Sequence, residues 1–270
     1  METDPFAGGG FGAVYKAKWR KTDVVVKVVK VSKSQDTQKA MNEVSLTLQL
    51  NHPNVVNLYG ITTVSPKKIG IVMEVAERGS LDQWIGKIDR ARTTRIALSI
   101  IDGLEHVHMK HVIHRDIKPK NILMFGPEVD MNPKIADFGV SKVIETSAKS
   151  HTQTGQQLYM APEVKMFNHY SFPADIFSLT MTLFEMFSEQ LLVESPSEVM
   201  RFIMSVHRGI IGEFPESCKV PEYIRNILKR GWNETPEQRP KLHEFYATLD
   251  GNFYNVACTH THHLVVSVCY

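Results

Sequence analysis

The chain has 270 residues, 31 of them basic and 29 acidic, and its net charge is +2 at pH 7. This balance argues against a protein dedicated to binding nucleic acid or a membrane surface. A hydrophobic fraction of 43% is that of an ordinary globular protein that can bury a sizeable core.

The chain shows no sign of membrane insertion or secretion. No uncharged apolar run reaches about 18 residues, and the acidic, glycine-rich N-terminus does not resemble a signal peptide. The three cysteines follow no disulfide or metal spacing, so we expect free thiols in a reducing compartment. We therefore expect a cytoplasmic protein, or the cytosolic portion of a larger one.

The first 80 residues alternate between strand and helix signals. Apolar residues recur at helical spacing over 36–50, which predicts a helix there. The polar stretch at 77–80 breaks the pattern and indicates a hinge. Runs rich in β-branched residues predict strands over residues 13–17, 24–29, 55–59 and 69–75.

After residue 80 the pattern becomes mostly helical. One apolar stripe runs from Ile96 to Val107, and residues 174–187 are apolar nearly all round, as in a buried helix. Residues 195–198 form a capping box with proline at the first helical position. A small β-rich part is thus followed by a larger α-rich part, and a cleft between them is the natural place for a ligand.

A glycine-rich stretch and a lysine mark the β-rich part. Glycines at 8–10 and 12 would let backbone N–H groups approach phosphates, although a flexible turn is the alternative. Lys27 stands in the apolar run 24–29, where its ammonium needs an anion if it points inward. Glu43 on the predicted helix is a candidate partner, and a solvent-exposed lysine on an edge strand is the alternative.

Two motifs in the α-rich part carry the residue types of phosphoryl transfer. HRD occupies residues 114–116, Asn121 follows after four intervening residues, and DFG occupies 137–139. Asp116 is able to accept a hydroxyl proton, and Lys118 to neutralise a transferring phosphoryl group. Asn121 and the aspartate of DFG offer the hard oxygen ligands that Mg²⁺ prefers.

Taken in order with Ala161-Pro162-Glu163, these motifs resemble a eukaryotic protein kinase catalytic domain over about residues 5–250. The resemblance implies an α+β, bilobal fold with the active site in the cleft. We expect the kinase domain over 1–255, with an N-lobe at about 1–76, a hinge at about 74–79 and a C-lobe at about 80–255. Residues 256–270 form a tail outside the family pattern.

The resemblance also implies ATP- and Mg²⁺-dependent transfer of the γ-phosphoryl group to a protein substrate. Asp116 would be the base, Lys118 the γ-phosphate clamp, and Lys27 would pair with Glu43. Asn121 and Asp137 would hold Mg²⁺. The implied ATP-binding residues are Phe6, Ala7, Gly8, Gly9, Gly10, Gly12, Val14, Val25, Lys27, Met73, Glu74, Ala76, Leu123 and Asp137.

The loop around Asp116 indicates the substrate hydroxyl. Lys118-Pro119-Lys120-Asn121 resembles the form found in Ser/Thr kinases, although dual-specificity or tyrosine activity stays open. Residues 159–163, 175–178 and 231–240 resemble the tyrosine-kinase-like group of Ser/Thr kinases, and the last of these supplies Arg239 as the implied partner of Glu163. The alternative to an active kinase is a pseudokinase scaffold that binds nucleotide or partners without transfer.

Arg115 implies regulation by phosphorylation. In kinases with this arginine, a phosphate on the activation segment pairs with it and orders the segment. We expect Thr152 to be the site, phosphorylated by an upstream kinase or by the chain itself. The sequence also departs from the family pattern at Ala7, Val25, Thr47, Gln156 and Thr180, each of which we expect to tune activity rather than remove a reacting group.

Overall fold

A computed structural model describes residues 7–9, 12–30, 45, 48–65, 67–138, 158–191 and 219–251. Within these residues a β-rich part precedes an α-rich part, as expected. The strands are β1 (Ala7–Gly9), β2 (Gly12–Trp19), β3 (Thr22–Lys30), β4 (Leu58–Ser65), β5 (Lys68–Met73), β6 (Ile122–Phe125) and β7 (Asn132–Ile135). The α-helices are α1 (Arg90–Met109), α2 (Pro162–Phe167), α3 (Phe172–Ser188), α4 (Glu222–Gly231) and α5 (Leu242–Leu249).

The N-terminal sheet is antiparallel, with the strand order β1-β2-β3-β5-β4. β3 lies in the middle, and its register places Lys27 opposite Val14 on β2 and Ile71 on β5. Val26 and Val28 are buried, as is Lys27 between them. A run of valines with little alternation is typical of a strand covered on both faces.

The α-rich part is built around two helices. α1 is capped by Asp89, the residue before its first turn. The Asp89 side chain accepts the Arg92 backbone N–H at 2.9 Å, which lowers the pKa of this carboxyl. All residues of α3 from Ala174 to Ser188 are buried, so this helix runs through the centre of the lobe. Within the described residues, no helix combines the length and the apolar character required to cross a membrane.

The predicted strand over 55–59 is wrong in its first half. β4 begins at Leu58, whereas Val55 makes an isolated bridge to Ile135 of β7, in the other lobe. Val56 N–H also donates to Ile135 O at 2.9 Å. Both valines are 2% exposed. Their β-branched pattern therefore reflects burial against the C-lobe and not a place in the sheet.

Some of the remaining predictions of helices and strands are confirmed, and the others lie outside the described residues. The apolar stripe from Ile96 to Val107 and the buried run 174–187 are confirmed as parts of α1 and α3. The predicted strand 69–75 is observed as β5, which ends at Met73. Most of the predicted helix over 36–50 and all of the capping box at 195–198 lie outside the described residues.

Thr180, one of the departures from the family pattern, is fully buried in α3. Its hydroxyl donates to the Ile176 carbonyl oxygen at 2.7 Å, which satisfies the buried polar group. A Cβ placed on Gly231 of α4 would collide with the Thr180 hydroxyl oxygen. The absence of a side chain at residue 231 therefore makes the room that Thr180 needs between the two helices.

Candidate active site

The glycine-rich stretch forms a hairpin at the edge of the sheet. β1 pairs with β2, with Gly9 opposite Gly12 at the closed end. Val14 lies two residues further along β2 and pairs with Lys27, so the hairpin is placed directly beside the buried lysine. Phe6 and Gly10, which also belong to the expected ATP site, lie outside the described residues.

Lys27 finds its anion across the cleft. Its Nζ lies 2.8 Å from Asp137 Oδ1, and the Lys27 side chain is 8% exposed whereas that of Asp137 is 34% exposed. The ion pair joins β3 of the N-lobe to the segment after β7 of the C-lobe. The alternative of a solvent-exposed lysine is therefore wrong. Glu43, the partner expected from the sequence, lies outside the described residues, so that pairing stays a prediction.

Asp116 is held in place by its neighbours in the loop. Its Oδ2 accepts from Lys118 Nζ at 2.8 Å and from Asn121 Nδ2 at 2.7 Å. Asn121 Nδ2 also donates to the Asp116 carbonyl oxygen at 2.7 Å. The short 3₁₀ turn Pro119–Asn121 brings these side chains together within six residues. A carboxylate held at a fixed position in this way is placed to accept the proton of a substrate hydroxyl.

The loop of Asp116 is tied to the segment of Asp137. Ala136 N–H donates to the Asn121 carbonyl oxygen at 2.8 Å, and the His114 ring nitrogen Nε2 donates to the Ala136 carbonyl oxygen at 2.9 Å. The His114 ring also packs edge-on against Phe138, with the ring centroids 4.8 Å apart. The backbone thereby holds the two carboxylates on neighbouring segments at one side of the cleft.

A magnesium ion fits the oxygen atoms that remain in this cluster. Asn121 uses its amide nitrogen in both bonds to Asp116, which leaves the amide oxygen as a ligand, and the Asp137 carboxylate is partly exposed. In the part of the chain that the structure describes, no group of three or more His, Cys, Asp or Glu could hold a metal alone. Two oxygens are what a protein usually gives to Mg²⁺ when phosphates supply further ligands.

His114 must be neutral to play its part in the loop. Its Nδ1 accepts the Asp116 backbone N–H at 3.2 Å while its Nε2 donates to Ala136, so both ring nitrogens are used. The side chain is fully buried, and burial lowers the pKa of this imidazole despite the nearby Asp175 carboxylate. Protonation at Nδ1 would cost the bond to Asp116 as well as the burial of a charge.

We expect the fold to lose stability in acid through His114. Its folded pKa lies below the unfolded value of 6.5, so the unfolded state binds the proton first as the pH falls. Stability is therefore complete above pH 6.5 and declines below it, by at most about 1.4 kcal/mol per pH unit for one proton. Chemical denaturation at several pH values below 6.5 gives the free energy of unfolding as a function of pH. This free energy should fall less steeply with decreasing pH for His114→Phe than for wild type. His111→Phe, at an exposed position, is the control and should show the pH dependence of wild type. The same pH dependence in His114→Phe would contradict this assignment.

A buried carboxylate anchors the start of the loop. Asp175, at the beginning of α3, is fully buried, and its two oxygens accept the backbone N–H groups of His114 and Arg115 at 2.8 and 2.9 Å. His108 Nε2 of α1 donates to the same carboxylate at 2.9 Å. From the sequence, residues 175–178 are only a family feature and His108 has no predicted role. A charged residue in the first turn of a mostly apolar helix is the signal that points to this anchor.

An apolar cluster joins the N-lobe strands, the hinge and the C-lobe hairpin. Val25, Met73, Ala76 and Leu123, four of the residues expected around adenine, belong to one hydrophobic cluster. Val25 pairs directly with Met73 across β3 and β5, and Leu123 comes from the C-lobe hairpin. The cluster therefore contains side chains from both lobes, and its member Ile71 pairs with Lys27 across β3 and β5. Apolar side chains with a few polar groups nearby are typical of ligand-binding sites.

Arg115 lies next to the Asp116 cluster in a strained conformation. Its φ is +70°, a value that L-residues rarely adopt, and its guanidinium lies 5.6 Å from the centroid of the Tyr170 ring.

Tyr159, which leads into the Ala161-Pro162-Glu163 motif, donates to Glu185 at 2.7 Å, and burial with this carboxylate raises the pKa of its phenol. Thr152, Thr47 and Gln156 lie outside the described residues.

Comparison with known proteins supplies a family. A family model described as protein kinase domain matches residues 6–248. The interferon-induced, double-stranded RNA-activated protein kinase of Mus musculus is 31% identical over 262 residues, which are 89% of this chain and 48% of that protein.

Two plant proteins are similar to the same extent. Serine/threonine-protein kinase VIK of Arabidopsis thaliana is 32% identical over 258 residues, 90% of this chain and 57% of that protein. Serine/threonine-protein kinase STY46 of the same plant is 30% identical over 249 residues, 90% of this chain and 42% of that protein. The chain spans about half the length of these three relatives.

Proposed function

Because the chain belongs to the protein kinase domain family, we propose that it transfers the γ-phosphoryl group of ATP to Ser or Thr hydroxyls of protein substrates. One observation carries the proposal. The Asp116 carboxylate is held by Lys118 and Asn121 on a segment hydrogen-bonded to that of Asp137, and Lys27 reaches Asp137 from the other lobe. A pseudokinase would usually lack at least one of these groups.

Each side chain has a distinct part in the proposed reaction. Asp116 accepts the proton of the substrate hydroxyl, and Lys118 neutralises charge on the phosphoryl group as it moves. Lys27 binds the phosphates once nucleotide competes for the ammonium that now faces Asp137. Asn121 and Asp137 would hold Mg²⁺, which would supply positive charge next to the phosphates.

The apolar cluster that contains Val25, Met73, Ala76 and Leu123 suits the adenine ring. Val14 and Val25 would lie above it and Leu123 below it, with Met73 at the back and the backbone of Glu74 and Ala76 at the edge. Backbone amides of the hairpin at Gly8, Gly9 and Gly12 would face the phosphates. We further propose that the catalytic unit extends over 1–255 and that Ala7 and Val25 tune nucleotide affinity.

Ser/Thr specificity is supported by Lys118-Pro119 and by the names of the plant relatives, which are Ser/Thr kinases. Phosphoamino-acid analysis after incubation with labelled ATP and Mg²⁺ tests it. We expect label on serine or threonine of the chain itself or of a generic basic protein. Label confined to tyrosine would overturn the proposed hydroxyl class, and binding of ATP without any label would favour the pseudokinase alternative.

We expect phosphorylation of Thr152 to raise activity through Arg115. A phosphate near this guanidinium would form charge-assisted hydrogen bonds and order the activation segment. Thr152→Ala should lower activity by about tenfold, which corresponds to about 1.4 kcal/mol. Initial rates of wild type and variant, each with and without phosphatase treatment, measure the effect, with Thr154→Ala as the control. A Thr152→Ala protein as active as untreated wild type would contradict the prediction.

A further inference from the structure

The hinge begins at a glutamate whose side chain is fully engaged. Glu74 follows directly after β5, and its backbone N–H donates to the Asn57 carbonyl oxygen at 3.2 Å. Its carboxylate oxygen Oε1 accepts the Asn57 backbone N–H at 2.7 Å in return. Asn57 precedes β4, so this reciprocal pair fixes the start of the hinge on the N-lobe sheet.

A lysine of the C-lobe meets the same carboxylate. Lys134 of β7 donates from Nζ to both oxygens of Glu74, at 2.8 Å each. Both side chains are only 18% exposed, and the Lys134 ammonium also lies 4.6 Å from the centroid of the Phe125 ring. Partial burial and a cation–π contact make this pair stronger than one in open solvent.

The far end of the hinge is bound to the same hairpin. Arg78 N–H donates to the Met124 carbonyl oxygen at 3.2 Å, and Met124 N–H donates to the Gly79 carbonyl oxygen at 2.9 Å. Lys134 also pairs in register with Leu123 of β6. The β6–β7 hairpin thus holds the segment 74–79 at both ends, through a side chain at one end and through the backbone at the other.

We propose that Lys134 is a positioning residue for adenine recognition. It fixes the hinge backbone, through Glu74, at a set distance from Leu123, its own partner in the hairpin. Because Ala76 of the hinge and Leu123 belong to the same apolar cluster, Lys134 would set the shape of an adenine site at this cluster without touching the nucleotide. The inference rests on the proposed function, since it assumes that adenine binds at this cluster.

The physical consequence differs from that of a phosphate contact. Without Lys134, the hydrogen bond from the Asn57 N–H is the one that remains to the Glu74 carboxylate within the described residues. The hinge can then shift relative to β6. Part of the binding free energy of the ligand must then be used to order the hinge, which weakens binding. Affinity for adenosine, which has no phosphate, should therefore fall by the same factor as affinity for ATP. The chemical step, carried by Asp116 and Asp137, should be largely unaffected.

Calorimetric titration with adenosine and with ATP, together with KM and kcat, tests the inference in the full chain. Lys134→Met should raise Kd for both ligands and KM for ATP by about fivefold to tenfold, with kcat changed by less than about twofold. Lys134→Arg should recover most of the affinity. Lys18→Met is the matched control, because Lys18 Nζ also lies 2.8 Å from a carboxylate, that of Asp23, in open solvent.

A second variant keeps the test decisive if Lys134→Met does not fold. Glu74→Gln keeps an acceptor for the Asn57 N–H and loses the charge that faces Lys134, so its affinities should fall in parallel. Unchanged adenosine affinity in a folded variant would overturn the positioning role alone. A wild-type chain that binds neither adenosine nor ATP would instead overturn the proposed function together with this inference.

Discussion

Asp116→Asn is expected to lower phosphoryl transfer by about 10²–10⁴-fold, the range typical of a lost general base. The amide has the shape of the carboxylate, so its oxygen can still accept from Lys118 Nζ, which lies 2.8 Å from Asp116 Oδ2. It cannot accept the proton of a substrate hydroxyl at neutral pH. The expected loss therefore lies in kcat, with little change in nucleotide affinity.

Single-turnover transfer of labelled phosphate measures this effect, and calorimetric titration with ATP measures binding in the same preparations. Asp130→Asn is the matched control, because Asp130 is an exposed aspartate in the turn between β6 and β7. The control should behave as wild type in both assays. Transfer by Asp116→Asn at a rate within about threefold of wild type would remove Asp116 from the proposed mechanism.

Arg239→Met is expected to destabilise the fold by about 3–5 kcal/mol, because it leaves a buried carboxylate without its partner. Arg239 donates to both oxygens of Glu163, at 2.7 and 2.8 Å, and the two side chains are 1% and 11% exposed. It also donates to the carbonyl oxygens of Pro173 and Asn233 at 2.9 Å. One guanidinium therefore joins the starts of α2 and α3 to the turn after α4.

The free energy of unfolding of a domain is usually about 5–15 kcal/mol, so the expected loss is a large fraction of it. Chemical denaturation of wild type and variant measures it. Arg230→Met is the matched control, since Arg230 forms a 2.6 Å ion pair with Glu244 but is 54% exposed. That pair should contribute less than about 1 kcal/mol. Equal destabilisation by the two variants would show that burial does not distinguish these ion pairs.

The candidate site was predictable because its residues lie in short motifs. HRD and DFG each occupy three consecutive positions, and the asparagine lies five residues after the aspartate of HRD. Their order along the chain is what carries the family resemblance. The ion pair between Lys27 and Asp137 spans 110 residues. The run of valines around Lys27 indicated only that an anion would be needed if the side chain pointed inward, and the sequence suggested Glu43 and not Asp137 as that anion. Periodicity likewise predicted α1 and α3, because each buries a continuous apolar surface.

Contacts between the lobes were harder to predict, because no local pattern encodes them. Val55 and Val56 have the composition of a strand but are buried against the C-lobe through Ile135. Glu74 and Lys134 are 60 residues apart, and each resembles an ordinary surface charge in the sequence. The buried bond from His108 to Asp175 depends in the same way on how α1 packs against α3. Such pairs are set by tertiary packing, which propensity and spacing do not describe.

The most direct test of the central claim is transfer of the labelled γ-phosphate from ATP in the presence of Mg²⁺, by wild type and by Asp137→Asn. Wild type should label serine or threonine in itself and in a generic basic protein, and removal of the metal with a chelator should stop the reaction. Asp137→Asn should bind adenosine and give no label, because it loses both the proposed metal ligand and the charge that faces Lys27. Label of equal intensity from both proteins, or none from a wild type that binds ATP, would contradict the account.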